Sequence, residues 1–181
     1  MISREEAFNL LVEHLSGEKR KHSVLVSEIM KKLAENFGKN KTKWELTGLL
    51  HDLDYEITRG ARKQHGIIAA KMLEGRLSED CLHAIMAHDH RTGVKPVTLI
   101  DKAPIVSEMI AVLISELASR IGYEKIPRMK MDDIKEELKR ELLFKEKLGV
   151  GLVKICKELD LTLEGLIKLA VESLIEDQNQ G

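Results

Sequence analysis

Apolar residues in this chain recur at steps of three and four far more than at steps of two, which is the period of an amphipathic helix and not of a strand. The clearest stripe is His22, Leu25, Val26, Ile29, Met30, Leu33, Ala34 and Phe37. It predicts a long helix that stops at Gly38. Before it, Ser3 and Glu6 have the spacing of a capping box for a helix to about Leu15, ended by Ser16 and Gly17. Thr42 and Glu45 predict a second box, opening a helix that carries Trp44, Leu46, Leu49 and Leu50 into His51-Asp52. Residues 55–64 read as a polar, basic loop. A fourth helix is expected from about His65 to Glu74, and a fifth from Ser78 to about His90, with a turn at Arg91-Thr92-Gly93 and Pro96. The stretch Thr98 to Arg120 is helical in pattern, and Pro104 within it predicts a kink or break just after Asp101. After a linker over residues 122–131, helices are expected at about 132–147, 149–159 and 162–177. The fold class predicted is all-α, without internal repeats.

Composition narrows this further. With 181 residues, the chain has the length of one ordinary domain. At 43% hydrophobic and 33% charged, it can form a core, yet no apolar run approaches the ~18 residues of a membrane span. The balance of 29 Lys and Arg against 30 Asp and Glu, net −1, argues against a broad nucleic-acid footprint, which needs a surplus of cations on one face. Cys81 and Cys156 are far apart and the N-terminus shows no basic-then-apolar leader, so the expectation is a reduced, cytoplasmic protein.

The candidate chemistry lies upstream of residue 102. His22 is on the stripe of Leu25, Val26 and Ile29; His65 precedes Ile68, Ala69, Met72 and Leu73 at helical steps; His88 extends the stripe of Cys81, Ala84 and Ile85; Asp101 aligns with Val97 and Ile105. With His51 and Asp52 at a helix end, these groups share inward faces. A buried carboxylate is costly without a cation or hydrogen bonds. A divalent ion would neutralise it, because imidazole nitrogen and carboxylate oxygen suit Mn, Fe, Co, Ni and Zn. The His-Asp doublet occurs twice, at His51-Asp52 and His88-Asp89, so the order of the whole set is more informative than the doublet. The other histidines, His14, His83 and His90, read as structural or surface residues, and Cys81, Trp44 and Met72 as core. Asp54 reads first as a solvated loop residue, with a partner behind a ligating histidine or a general acid as the alternative, and Lys19-Arg20-Lys21 as a solvated helix start near the pocket mouth.

The order His22, then His51-Asp52 within Gly-Leu-Leu-His-Asp-Leu-Asp-Tyr, then Asp101 after an Ile-rich helix resembles the HD superfamily of metal-dependent phosphohydrolases, named for that doublet. The strings Gln-His-Gly at 64–66 and Ala-Ile-Met-Ala-His at 84–88 are similar to the extra-histidine positions of its two-metal members. The tail string Phe-Lys-Glu-Lys-Leu-Gly-Val-Gly at 144–151 resembles that of a small prokaryotic branch of HD-domain hydrolases. The resemblance implies an N-terminal helix over 1–17, an HD-type metal-binding core over 18–121, and a C-terminal helical extension over 122–181 packed on the same domain. It implies that His22, His51, Asp52 and Asp101 hold one metal, with Asp52 bridging to a second held by His65 and His88. One or two ions of Mn, Ni, Co, Fe, Zn or Mg would activate a water for attack on phosphorus, Asp52 and His51 being the catalytic pair. Arg59, Arg62 and Lys63, just before His65, read first as a plain surface loop and, as the alternative, are the nearest candidates for phosphate contacts.

The substrate expected is a nucleotide or another small phosphorylated metabolite, as a phosphomonoester or phosphodiester. The cyclic-dinucleotide phosphodiesterases of the superfamily carry Gly-Lys soon after the doublet and a later Gly-Tyr-Pro, where this chain has Asp54-Tyr55 and Arg91-Thr92-Gly93-Val94-Lys95-Pro96, so that activity is disfavoured. Two alternatives stay open: a metal-stabilised ligand-sensing or scaffold domain without turnover, and a di-iron oxygenase. The tail helices either cover the core or form a homodimer contact.

Overall fold

The computed structural model describes residues 1–179, and their side chains except at 143–144, 146–147 and 175–179. The string at 144–151 therefore lies partly outside the described residues. Every regular element described is helical, as the apolar period requires. No helix among the described residues is long and apolar enough to cross a membrane. The chain divides into two compact units, Met1–Ile105 and the residues from Val106 onward. All the candidate site residues belong to the first.

In the first unit, α1 (Arg4–His14), α2 (Gly17–Asn36) and α3 (Lys41–Leu50) are followed by consecutive turns over 51–60 and a 3₁₀ turn at Arg62–Gln64. Then come α4 (Ile67–Met72), α5 (Glu79–Ala87), a 3₁₀ turn at His90–Thr92 and the start of α6 (Leu99–Ile121). The capping box at Ser3 forms: the Glu6 amide donates to Ser3 Oγ at 3.1 Å and the Ser3 amide to Glu6 Oε2 at 2.8 Å. The packing of α2 on α3 is the main helix pair of this unit. It buries Leu25, Val26, Ile29, Met30, Leu33 and Ala34 with Trp44, Leu46, Leu49 and Leu50, the residues of the predicted stripes. Gly48 sits where the two backbones come closest. A Cβ there would lie 2.8 Å from Met30 Sδ and 2.9 Å from Ser27 Cα. Arg4 ties the three helices together, donating through Nε to Glu45 Oε1 at 2.7 Å and through Nη2 to Glu28 Oε1 at 3.3 Å.

Several sequence expectations change. The second capping box does not form, because α3 starts earlier: Asn40 is its cap, accepting from the Lys43 amide at 3.0 Å, and Glu45 is engaged by Arg4. The helix expected from His65 is shorter and starts at Ile67. His65 has extended backbone, and Gly66, at φ +80°, turns the chain where a Cβ would meet the Ile85 carbonyl at 2.5 Å. Helix α6 is continuous through Pro104 and has no break after Asp101. Pro104 lies near its N-terminal end, so the missing N–H costs one hydrogen bond, and the apolar residues beyond it, including Val106, Ile110, Ala111, Leu113 and Leu117, are buried.

The second unit holds the remainder of α6 with α7 (Met131–Phe144), α8 (Glu146–Glu158) and α9 (Leu163–Asn179). Ile134, Leu138, Leu152, Leu166, Ile167 and Ala170 are buried in it, and Arg120 pairs with Glu137 and Glu141.

Candidate metal centre

Four imidazoles and one carboxylate reach one interior region of the first unit. His22 comes from the second turn of α2. His51 and His88 are the C-terminal cap residues of α3 and α5, and they use the same device. His51 Nδ1 lies 2.7 Å from the Gly48 carbonyl and His88 Nδ1 2.6 Å from the Ile85 carbonyl, each three residues back. A carbonyl only accepts, so Nδ1 carries the proton in both rings and the Nε2 lone pair is turned away from the helix end.

Asp52 stands at the focus. Its Oδ1 lies 2.9 Å from His65 Nε2, 3.6 Å from His51 Nε2 and 3.7 Å from His88 Nε2. Its Oδ2 accepts from Lys19 Nζ at 3.2 Å. Ligand atoms of His22, His51 and Asp52 all lie within 4.8 Å of one another, and so do those of Asp52, His65 and His88. Asp52 is common to both groups, where a bridging carboxylate would be needed.

The electrostatics fit a cation. Burial pushes the Asp52 pKa up, but the neighbouring imidazoles of His51, His65 and His88 and the Lys19 ammonium outweigh it and hold the carboxyl well below its usual range. Burial pushes His51 down to about 3, against the raising influence of Asp52, so that ring is neutral. His22 is lowered by burial too. His51 Nε2 and His22 Nε2 are buried and lack a hydrogen-bond partner, although each is an atom that normally has one. Ligands about 2.1 Å from a common ion stand roughly 3–4 Å apart, close to the spacing seen here. The donor set therefore suits a divalent metal of the borderline class.

His65 is held differently. Its Nδ1 lies 2.8 Å from Asp54 Oδ1, whose Oδ2 accepts from the Gly66 amide at 2.9 Å and the Ala69 amide at 3.0 Å. Burial lowers the His65 pKa, but the hydrogen bonds it donates to the Asp52 and Asp54 carboxylates raise it to about 9. Without metal, His65 is an imidazolium between two carboxylates. Asp54 is fully buried, so the preferred reading as a solvated loop residue gives way to the alternative: it orients His65 and caps the first turn of α4, as a carboxylate behind a metal-ligating histidine does.

The structure does not bring Asp101 into either group. Asp101 Oδ2 accepts from the Val97 and Thr98 amides at 2.9 and 2.8 Å, and Oδ1 lies 2.9 Å from His83 Nδ1. Thr98 and Asp101 have capping-box spacing at the start of α6, so the inward alignment with Val97 and Ile105 was a weaker guide than the local cap. The second doublet is resolved as well. Asp89 is engaged by the Arg91 side chain and amide, leaving His88 as the member that faces Asp52. Among the basic loop residues, Arg59 is exposed and pairs with Glu56, and Lys63 is exposed. Arg62 is half-buried over the Tyr55 ring, its Cζ 4.7 Å from the centroid.

A family model described as HD domain matches residues 20–109. No curated protein matches the chain. Two solved structures are similar to it in fold. One, from Clostridium acetobutylicum, is described as a predicted HD superfamily hydrolase involved in NAD metabolism; it is 18% identical with a TM-score of 0.51, over 98% of this chain and 99% of that one. The other is the HD domain of the L. monocytogenes phosphodiesterase PgpH, 16% identical with a TM-score of 0.54, over 96% and 97%. At such identities the likeness is one of fold. The residues matched by the family model contain the His51-Asp52 doublet and its converging histidines, and over residues 20–109 the chain belongs to the HD-domain family.

Proposed function

We propose that this chain is a metal-dependent phosphohydrolase that cleaves a phosphomonoester or phosphodiester of a nucleotide or another small phosphorylated metabolite. The observation that carries this reading is the buried cluster of His22, His51 and Asp52, whose ligand atoms lie within 4.8 Å of one another and in which His22 Nε2 and His51 Nε2 have no hydrogen-bond partner, inside the segment matched by the HD-domain model. Bound there, one or two divalent ions such as Mn, Ni, Co, Fe, Zn or Mg would supply Lewis acidity toward a phosphoryl oxygen and lower the pKa of a water.

The chain's own residues supply the rest. His22 and His51 would hold one ion and His65 and His88 a second, with Asp52 shared between them. Asp52 turns Oδ1 to the imidazoles and Oδ2 to Lys19, so one carboxylate both holds charge at the centre and can orient an attacking water. Asp54 fixes the His65 ring through Nδ1.

The test measures metal content of protein purified without chelator, for the parent, His51→Ala and Asp52→Ala. A phosphate-release screen over nucleotides and sugar phosphates with Mn, Ni, Co, Mg and Fe accompanies it. Release by the parent that disappears in a folded Asp52→Ala supports the proposal. Equal metal in all three proteins removes the assignment; bound metal with no release under any condition leaves a ligand-sensing or scaffold domain.

A further inference from the structure

The run Lys19-Arg20-Lys21 behaves as three separate residues. Arg20 folds back to donate to the Leu15 carbonyl at 3.0 Å, and Lys21 pairs with Glu18 at the surface. Lys19 alone of the three turns to the centre. Its ammonium lies 3.2 Å from Asp52 Oδ2 and 3.5 Å from the centroid of the Tyr55 ring. Arg62 reaches the same ring from the 3₁₀ turn before His65, with its Nη2 3.5 Å from the Tyr55 hydroxyl. Two cations thus share one aromatic platform at the edge of the candidate metal centre, and the Lys19 side chain keeps 25% of its surface exposed.

This placement opposes simple helix electrostatics. Lys19 is the third residue of α2, where the helix dipole disfavours a cation. Asp52 and the π-face offset that cost. An ammonium has three donors, and Asp52 accepts one, so Lys19 has donor capacity left for an oxyanion on its open side. Arg62 adds a planar fork suited to phosphate oxygens. By contrast, Arg59 is committed to Glu56.

We infer that Lys19 and Arg62, seated on Tyr55, form the phosphate-binding arm of this site and recognise the anionic phosphoryl group of the substrate beside Asp52. The inference rests on the phosphohydrolase reading and names the residues through which that reading meets its substrate. Lys19 is a substrate-binding residue, and Tyr55 is a positioning residue that holds both cations.

The experiment titrates orthophosphate into Mn²⁺-loaded full chain by calorimetry, for the parent, Lys19→Met, Lys19→Arg, Arg62→Met and Tyr55→Leu. Manganese affinity and thermal midpoint are measured on the same samples. Lys19→Met is expected to weaken phosphate binding tenfold or more while manganese binds as tightly as in the parent or tighter, since a cation beside a ligand has been removed. Lys19→Arg restores most of the affinity, and Arg62→Met and Tyr55→Leu each lose about threefold to tenfold.

Phosphate binding by Lys19→Met equal to that of the parent overturns the inference. So does a manganese-loaded parent that binds no phosphate, or loss of manganese together with phosphate in Lys19→Met, which would make Lys19 a support of the metal centre only. The release screen separates the two readings. Turnover with Lys19-independent phosphate binding sinks this inference alone; Lys19-dependent phosphate binding without turnover sinks the hydrolase reading and keeps the anion site.

Discussion

Asp54 and Asp52 are two residues apart and fully buried, but they have different partners. Asp52 faces imidazole nitrogens and a lysine; Asp54 faces one imidazole and two backbone amides. Asp54→Ala should therefore weaken divalent-metal affinity by about 10- to 100-fold, the usual effect of removing the partner behind a ligating histidine. Manganese titration of the two proteins checks it. His65 gives a pH dependence. Its folded pKa of about 9 lies above the ordinary 6.5, so its contribution to the metal-free fold is fully present below about 6.5 and is lost as pH rises through about 9. The thermal midpoint of chelated parent should exceed that of His65→Gln at pH 6.5, and the gap should close toward pH 9.5. Metal uptake runs the other way, because Nε2 must lose its proton to bind an ion. The Asp54 role carried no periodic signal, since a turn residue has no helical face. Lys19, three positions before His22, was in principle visible as a neighbour on the same face.

At the scale of the element, the informative features are caps and one close crossing. Asp101 closes a capping box on Thr98, and its carboxyl is held below the ordinary range: burial raises it, but hydrogen bonds from the Thr98 backbone, His83 and the Val97 backbone outweigh that. Asp101→Ala should cost about 0.5–2 kcal/mol of stability and leave manganese content at the parent's value; chemical denaturation and metal analysis together check both. Gly48→Ala should destabilise by about 1–3 kcal/mol, because the added Cβ meets the Ser27 backbone at 2.9 Å as well as Met30. Urea unfolding measures it, and Met30→Leu would not remove the backbone part of the clash. The helix pattern was largely legible, down to the Ser3 cap and the Gly38 stop, because both act within one turn. The start of α4 was not, because Gly66 is fixed by the Ile85 carbonyl of another helix.

At the scale of the whole molecule, the first unit concentrates Asp52, Asp54, His51, His65 and His88 where the side chains are almost wholly buried. A set of this kind is stable only when charges are matched, so ion binding should raise the thermal midpoint. At a free ion concentration 100 times the dissociation constant, the gain is about 2.7 kcal/mol. Thermal scans with manganese and with chelator should differ in the parent and coincide in Asp52→Ala. A net charge of −1 leaves recognition of a phosphate to local cations, which is why the placement of Lys19 and Arg62 matters more than the total.

The sequence by itself determined the helical class, most helix boundaries, and the set of histidines that could converge with the His51-Asp52 doublet. These follow from apolar period and short-range capping, which act within a few residues. Tertiary structure decided the partners that lie far apart along the chain. It set Asp52 beside Lys19, Asp54 behind His65 and His83 against Asp101, and brought Lys19 and Arg62 to Tyr55. Periodicity specifies the face of a helix, whereas a carboxylate chooses among all donors that packing places within about 3 Å, and that choice is made only when the chain has folded.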